Sequence, residues 1–364
     1  MNKIKVIVVD DSALMRKIIS DMLNAEEDIE VIGIAKNGEE LLLKLETLNP
    51  DIITLDVEMP KMNGITALKE LKKRGITVPV IMLSSISIKG TELTIECLES
   101  GAFDFIPKPS GEISLDINKV REDLTEKIRG AYNKISPDNN SREFKRMGIT
   151  LKEQREIRRE SLKKGKEAEV NAIGRIKAVA IGASTGGPKA LYSVITALPK
   201  DIGVPVLVVQ HMPAGFTKAF SERLNANSDI RVKEAAEGDD IEKDTVYIAP
   251  GGFHMEVGED KKIHLNTEPS IWGVRPAVDK LFISASKVYG TNLMSVVLTG
   301  MGKDGAGGTV EVKKRGGLTI SEDKSTCIIY GMPKATYETG MVDIVLPLQD
   351  VPVHIVKTVM GVRR

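Results

Sequence analysis

Short apolar, β-branched runs alternate with amphipathic stretches along most of this chain, and that alternation restricts its fold more than any other feature. An uninterrupted apolar run reads as a strand buried on both faces. Strands separated by helices build a parallel sheet with right-handed crossovers. Near the N-terminus the runs are Ile4–Val9, Val31–Ala35, Ile52–Leu55, Val80–Leu83 and Phe103–Ile106. Helical stretches separate them at Leu14–Asn24, Glu39–Leu48, Gly64–Arg74 and Gly90–Ser100. A second set follows at Lys177–Ile181, Val204–Val209, Thr245–Ile248, Met294–Leu298, Gly317–Ile320 and Cys327–Ile329. Helices Lys189–Leu198 and Val278–Tyr289 lie among these, with antiparallel pairing expected around His254–His264. The chain is therefore α/β, with one domain at 1–125 and another at 175–364.

Between them, residues 126–174 lose the strand pattern. From Ser141 to Val170 there are 10 Lys/Arg and 6 Asp/Glu among 30 residues, which reads as a charged linker or a solvated helix. The basic run Arg155–Lys166 is interleaved with Glu153, Glu156, Glu160 and Glu167, so a solvated face is preferred over a DNA contact. The whole chain carries 51 Lys+Arg and 51 Asp+Glu, which argues against nucleic acid as a partner. Cys97 and Cys327 lack any ligand spacing and read as free thiols in a reducing compartment. No secretory leader is legible, and no apolar stretch approaches the ~18 residues of a membrane span. A soluble cytoplasmic protein with no membrane insertion is expected.

Open parallel sheets bind ligands beyond the carboxyl ends of their strands. In the first domain those ends carry Asp10 and Asp11, Asp56 and Ser84, with Lys108 after the last strand. Three converging carboxylates repel one another unless a cation lies between them, and a hard divalent ion such as Mg²⁺ suits that charge and size. One carboxylate is then able to attack phosphorus and form an acyl phosphate, with Ser84 and Lys108 available to the phosphoryl oxygens.

The pattern Val9-Asp10-Asp11-Ser12, Asp56-Val57-Glu58-Met59-Pro60, Ser84 and Lys108-Pro109 resembles the receiver domain of two-component response regulators. The resemblance implies a flavodoxin-like fold with strand order 2-1-3-4-5 and Asp56 as phosphoacceptor. It implies Asp11, Asp56 and the Glu58 carbonyl as Mg²⁺ ligands, with Asp10 assisting through water. Ser84 and Lys108 would contact the phosphoryl group, and Phe105 would hold the position of the switch aromatic.

In the second domain the run Lys177–Ile181 leads into Gly182-Ala183-Ser184-Thr185-Gly186-Gly187-Pro188 and then a helix. Pro188 suits a first helical position, and Ser184 falls on the strand-to-helix turn near free backbone N–H groups. Such a turn presents a nucleophile or cradles a phosphate. The next strand ends in Gln210-His211, and Met294–Leu298 leads to Thr299-Gly300-Met301-Gly302-Lys303-Asp304-Gly305. These loops supply a hydroxyl, an imidazole and a carboxylate: nucleophile, general base and base-orienter. The order Ser, His, Asp differs from that of the α/β-hydrolases. The glycines around Asp304 would let a backbone N–H meet a developing oxyanion. His254 also follows a strand and competes with His211 as the base, whereas His264 and His354 read as structural.

Two rivals are weaker. Tyr330 and Lys334 match the spacing of a short-chain dehydrogenase pair, but Gly331 and Pro333 between them disfavour the helix that pair needs. A receiver with a DNA-binding output is unsupported by any helix-turn-helix pattern.

The second domain resembles the catalytic domain of the chemotaxis protein-glutamate methylesterases. Ser184 and His211 with their neighbours carry the likeness, together with Ile248-Ala249-Pro250-Gly251, Arg275-Pro276-Ala277-Val278-Asp279, Leu298 to Gly305 and Tyr330-Gly331-Met332-Pro333. The resemblance implies a three-layer α/β/α domain with a mostly parallel sheet and a triad of Ser184, His211 and Asp304. It also implies an oxyanion donor at the Met301 N–H, a supporting Thr185 and no metal for the esterase. It further implies demethylation of glutamyl esters and deamidation of glutamines on methyl-accepting chemotaxis receptors. Phosphorylation by a chemotaxis histidine kinase would activate the enzyme, acting as a monomer.

Overall fold

A computed structural model describes residues 3–85, 87–108, 115–135 and 170–361. The chain divides into two compact units, Met1–Asn139 and Asn140–Arg364.

The first unit holds a five-stranded parallel sheet in the order β2-β1-β3-β4-β5: β1 (Ile4–Val9), β2 (Ile29–Ala35), β3 (Ile52–Asp56), β4 (Val80–Ser84) and β5 (Asp104–Pro107). This is the strand order anticipated from the receiver resemblance. Every residue of β3 and β4 is buried, and successive side chains point to opposite faces, so helices cover both sides. Helices α1 (Ala13–Asn24), α2 (Gly38–Lys44), α3 (Gly64–Lys73) and α4 (Ile88–Ser100) start where Ser12, Asn37, Asn63 and Ser87 accept a first-turn N–H. The last helix, α5 (Leu115–Ile135), continues past residue 125, where the sequence pattern placed the domain end. Arg129 on α5 reaches Glu26 and Asp28 at 2.7 Å each, so this part of the helix packs as receiver rather than linker. Most of the segment read as the charged linker, 136–169, lies outside the described residues.

The second unit is built on a seven-stranded sheet in the order β14-β13-β12-β6-β7-β9-β8, every pairing parallel. Its strands are β6 (Ala178–Ala183), β7 (Val206–Gln210), β8 (Arg231–Glu234), β9 (Thr245–Ile248), β12 (Leu293–Val297), β13 (Leu318–Glu322) and β14 (Ile344–Leu346). A separate antiparallel hairpin pairs β10 (His254–Val257) with β11 (Ile263–Asn266), as read from the sequence. The fully buried central strands again require cover on both faces.

One strand assignment needs correction, and two strands are additional to those expected. Cys327–Ile329 is an irregular segment leading to an isolated bridge between Gly300 and Tyr330, with Cys327 buried and Ile328 and Ile329 half-buried, Ile328 packing on Gly186. The edge strands β8 and β14 do not stand out in the sequence, β8 because Val232 is its one apolar residue and β14 because it is only three residues long.

From β6 the chain moves outward through β7 to the edge strand β8, returns to β9, then crosses to β12 on the other side of β6. The reversal makes a crevice beyond the ends of β6 and β12. In the first unit the same reversal falls between β1 and β3.

Candidate functional sites

At the β1/β3 crevice, Asp10 and Asp56 are buried and Asp11 is exposed, with an oxygen from each within 4.8 Å of the others. Arg16 Nη1 donates to the carbonyls of Asp10 and Asp11 at 2.6 and 2.9 Å, fixing the loop after β1. Lys108 Nζ stands 2.8 Å from both Asp10 Oδ2 and Asp56 Oδ2. Burial pushes the Asp56 carboxyl up to about 6, against the pull of Lys108. Burial also works against the Lys108 ammonium, but its bonds to the two carboxylates hold its pKa above the ordinary lysine value. Three carboxylates against one ammonium leave the cluster net negative. All-oxygen donors with an exposed member fit a hard divalent cation that keeps some of its water.

Ser84 is placed differently from its expected role. Its hydroxyl is turned to the first turn of α4, donating to Gly90 O at 3.2 Å and accepting from Thr94 Oγ1 at 2.5 Å. Glu58 stays beside the cluster, its N–H donating to Asp56 Oδ1 at 3.3 Å. Phe105 is buried on β5, with the Lys127 ammonium 5.6 Å from its ring.

In the second unit, the β6/β12 crevice brings together the three predicted loops. Ser184 follows β6, its N–H donating to Thr299 O at 3.0 Å across the switch point. His211 follows β7, its N–H donating to Ala183 O at 3.1 Å. His211 Nε2 lies 2.8 Å from Asp304 Oδ2, and both side chains are almost fully buried. The link to Ser184 runs through the backbone, since among the described residues no hydrogen bond joins Ser184 Oγ to the imidazole. Gln210, which sequence reasoning passed over, donates from Nε2 to both Ser184 O and His211 O at 3.0 Å. One buried amide thus holds nucleophile loop to base loop.

The Asp304 carboxylate also accepts the N–H groups of Val278 (2.6 Å), Asp279 (2.9 Å) and Gly305 (2.9 Å). The first two open helix α8 (Val278–Tyr289), whose N-terminus favours negative charge. Burial works against the Asp304 charge, but the His211 bond and these N–H groups hold its pKa below the usual carboxylate range. Gly182 on β6 lets α8 come this close, because a Cβ there would stand 2.3 Å from Val278 Cγ1.

Thr299 knits the crevice. Its hydroxyl donates to Thr185 O at 3.0 Å and accepts Ile329 N–H at 2.9 Å, while its own N–H donates to buried Glu322 Oε2 at 2.7 Å. Thr185 is buried behind Ser184, in front of helix α6 (Gly187–Ile195). The Met301 N–H makes no backbone hydrogen bond among the described residues.

The competing histidine is taken up elsewhere. His254 Nδ1 accepts Ala277 N–H at 3.2 Å and Nε2 lies 3.1 Å from Pro269 O, leaving neither nitrogen for a proton transfer. His264 is partly exposed between Asp260 and Glu237. His354 is buried on α11 (Val351–Met360). Tyr330 precedes α10 (Met332–Glu338) rather than lying on it, so it does not share a helical face with Lys334.

Together these features define a response regulator: a receiver domain joined to an α/β output domain with a parallel sheet. The response regulator receiver domain model matches residues 6–118, and the CheB methylesterase model matches residues 179–355. The protein-glutamate methylesterase/protein-glutamine glutaminase of Clostridium acetobutylicum is 56% identical over 364 residues, covering 100% of both chains. That of Pyrococcus horikoshii is 46% identical, covering 99% of this chain and 95% of its own. The chain belongs to the protein-glutamate methylesterase/protein-glutamine glutaminase family. The crystal structure of the Thermotoga maritima CheB methylesterase catalytic domain is 45% identical, covers 50% of this chain and 98% of that one, and has a TM-score of 0.49. No helix among the described residues is long and apolar enough to cross a membrane.

Proposed function

We propose that this chain is a cytoplasmic, phosphorylation-activated esterase that removes methyl groups from glutamyl esters of methyl-accepting chemotaxis receptors and deamidates receptor glutamines. We further propose a chemotaxis histidine kinase as its phosphodonor, and a monomer whose catalytic domain is 175–364. The observation that carries the reading is the His211–Asp304 pair beside Ser184 at the switch point of a parallel sheet.

Ser184 Oγ attacks the ester carbonyl carbon while His211 takes its proton. Because Nε2 faces Asp304, the accepting nitrogen is Nδ1. Asp304 holds that tautomer and offsets the imidazolium charge. The Met301 N–H meets the oxyanion, and losing such a donor typically costs ~10²–10³ in rate. His211 returns the proton to the departing methoxide, methanol leaves, and water hydrolyses the glutamyl-enzyme by the same exchange. A glutamine follows the same course with ammonia as the leaving group. Thr185 supports the turn through the bond that its carbonyl accepts from Thr299.

In the receiver, Asp56 is mostly ionised at neutral pH, as a nucleophile toward phosphorus must be. Asp10, Asp11, Asp56 and the Glu58 carbonyl would hold Mg²⁺, which when bound supplies positive charge to the phosphoryl oxygens. Lys108 gives the new phosphoryl group a fixed ammonium, and Ser84 reaches it by turning from α4. A tenfold to hundredfold activation requires only ~1.4–2.7 kcal/mol of differential interaction between phosphorylation states.

The test is methanol release from methylated receptor membranes. Ser184→Ala should abolish it while Asp56 still accepts phosphate, and full retained release would sink the assignment.

A further inference from the structure

Helices α8 and α9 (Ala306–Lys314) begin side by side, and neither is capped by the side chain at its own N-cap, Ala277 or Gly305. Each is instead served by a carboxylate from the other's start. Asp304, just ahead of α9, accepts the first two N–H groups of α8. Asp279, in the first turn of α8, accepts Gly305 N–H at 3.0 Å and Gly308 N–H at 2.6 Å with Oδ1. Gly305 N–H is shared, since Asp304 Oδ1 also takes it at 2.9 Å. The indole Nε1 of Trp272 donates to Asp279 Oδ2 at 3.3 Å, and the Lys303 ammonium sits 3.9 Å above that indole. The two carboxylates are therefore crossed between two helix N-termini, where the partial positive charges of both helices oppose their repulsion.

We infer that Asp279 is a positioning residue for the esterase reaction, setting the rotamer and height of Asp304 through Gly305 and the start of α9. Asp279 is 8% exposed and among the described residues bonds to backbone N–H groups and the indole, so its route to the chemistry runs through Asp304. Asp304 must present Oδ2 to both His211 and Val278 N–H, which leaves little freedom for the loop that carries it. Without Asp279, Gly308 N–H loses its acceptor, and Gly305 N–H draws Asp304 Oδ1 without a counterweight. The split in acidity fits: burial and the Asp304 charge push Asp279 up, while Asp304 is held down.

This inference rests on the catalytic reading of His211 and Asp304. The experiment uses the full-length phosphorylated chain and compares Asp279→Ala, Asp279→Asn, Asp304→Ala and Ser184→Ala in methanol release, with proton NMR of the low-field His211 Nε2–H. Asp279→Ala is expected to lower kcat by at least ~10-fold with KM within about twofold, and to shift or broaden that resonance. Asp279→Asn keeps an oxygen for Gly305 and Gly308 and is expected to restore most of both. Should the alanine variant not fold, Asp279→Ser, whose hydroxyl cannot span both N–H groups, is expected to show the same loss. Lowered stability with unchanged kcat and an unmoved resonance in the folded variant overturns the inference, leaving a merely structural cap. Activity retained by Ser184→Ala and Asp304→Ala would instead overturn the catalytic reading itself.

Discussion

His211 offers Asp304 its Nε2, at 2.8 Å, and the same Asp304 oxygen takes the Val278 N–H at 2.6 Å. The orienting carboxylate is thus also a helix cap, so one substitution bears on both rate and stability. Asp304→Ala is expected to lower kcat on the order of 10⁴-fold, by analogy with orienting aspartates in other triads. The stability effect carries a definite sign. The folded-state pKa of Asp304 lies below its ordinary value, so the stabilisation is present above that value, near 3.8, and fades as pH falls through the folded pKa. The gap in thermal stability between the native chain and Asp304→Ala should be full at pH 7 and shrink below about pH 4. A gap independent of pH down to 3 would contradict an ionised cap.

Gly300 has no room for a side chain. A Cβ there would lie 2.4 Å from Met332 Sδ, 2.8 Å from Ser184 Cβ and 3.1 Å from Ser184 N. Gly300→Ala is therefore expected to push the nucleophile's turn and the Met301 N–H apart. Displacements of about 1 Å cost ~10²-fold in rate, so methanol release should fall by that order while Asp56 phosphorylation is unaffected. Activity within twofold of the native chain would show that Met332 alone absorbs the added methyl.

How much of this was legible beforehand follows from where each polar residue sits. Asp10, Asp56, Ser184 and His211 stand out because each ends or directly follows an uninterrupted apolar run, and a parallel sheet collects such ends on one edge. Glu322 ends β13 in the same way, but the apolar run stops at Ile320, two residues short of this carboxylate that holds Thr299 N–H. Asp279 was concealed for a different reason. An acid in the first turn of a helix is ordinary, and nothing local reveals that it serves a helix starting 27 residues later, at Ala306. Ile328 and Ile329 had strand propensity without a strand partner. Ile328 packs on Gly186 and the Ile329 N–H donates to the Thr299 hydroxyl instead, an instance of tertiary contact overriding local preference.

Cys97 and Cys327 are both buried and lie outside any disulfide among the described residues. Burial pushes the Cys97 thiol up to about 12, with the Glu96 charge adding to it. At pH 8 its thiolate fraction is then on the order of 10⁻⁴, so a thiol reagent should label it only through opening of α4. The native chain is expected to resist labelling at pH 8 and to take up two equivalents after unfolding in denaturant. Rapid labelling of Cys97 in the native state would mean that α4 opens far more readily than its buried face implies.

Lys108 is the fixed cation between Asp10 and Asp56, 2.8 Å from each, in a cluster that stays net negative. Removing it leaves two buried carboxylates without a counter-charge, a change that typically costs several kcal/mol where the group is fully enclosed, and less here because Lys108 is partly exposed. A divalent ion among the three aspartates would replace that charge. Lys108→Ala is therefore expected to unfold its receiver at lower temperature without metal, and to gain more than the native chain from millimolar Mg²⁺, since a ligand stabilises as its concentration exceeds its Kd. Its phosphorylation should also be impaired, because Mg²⁺ restores charge at the aspartates but not the ammonium at the phosphoryl oxygen. Melting curves with and without Mg²⁺ separate these effects. Equal Mg²⁺ stabilisation of both chains would mean that Lys108 and the ion do not share the same negative charge.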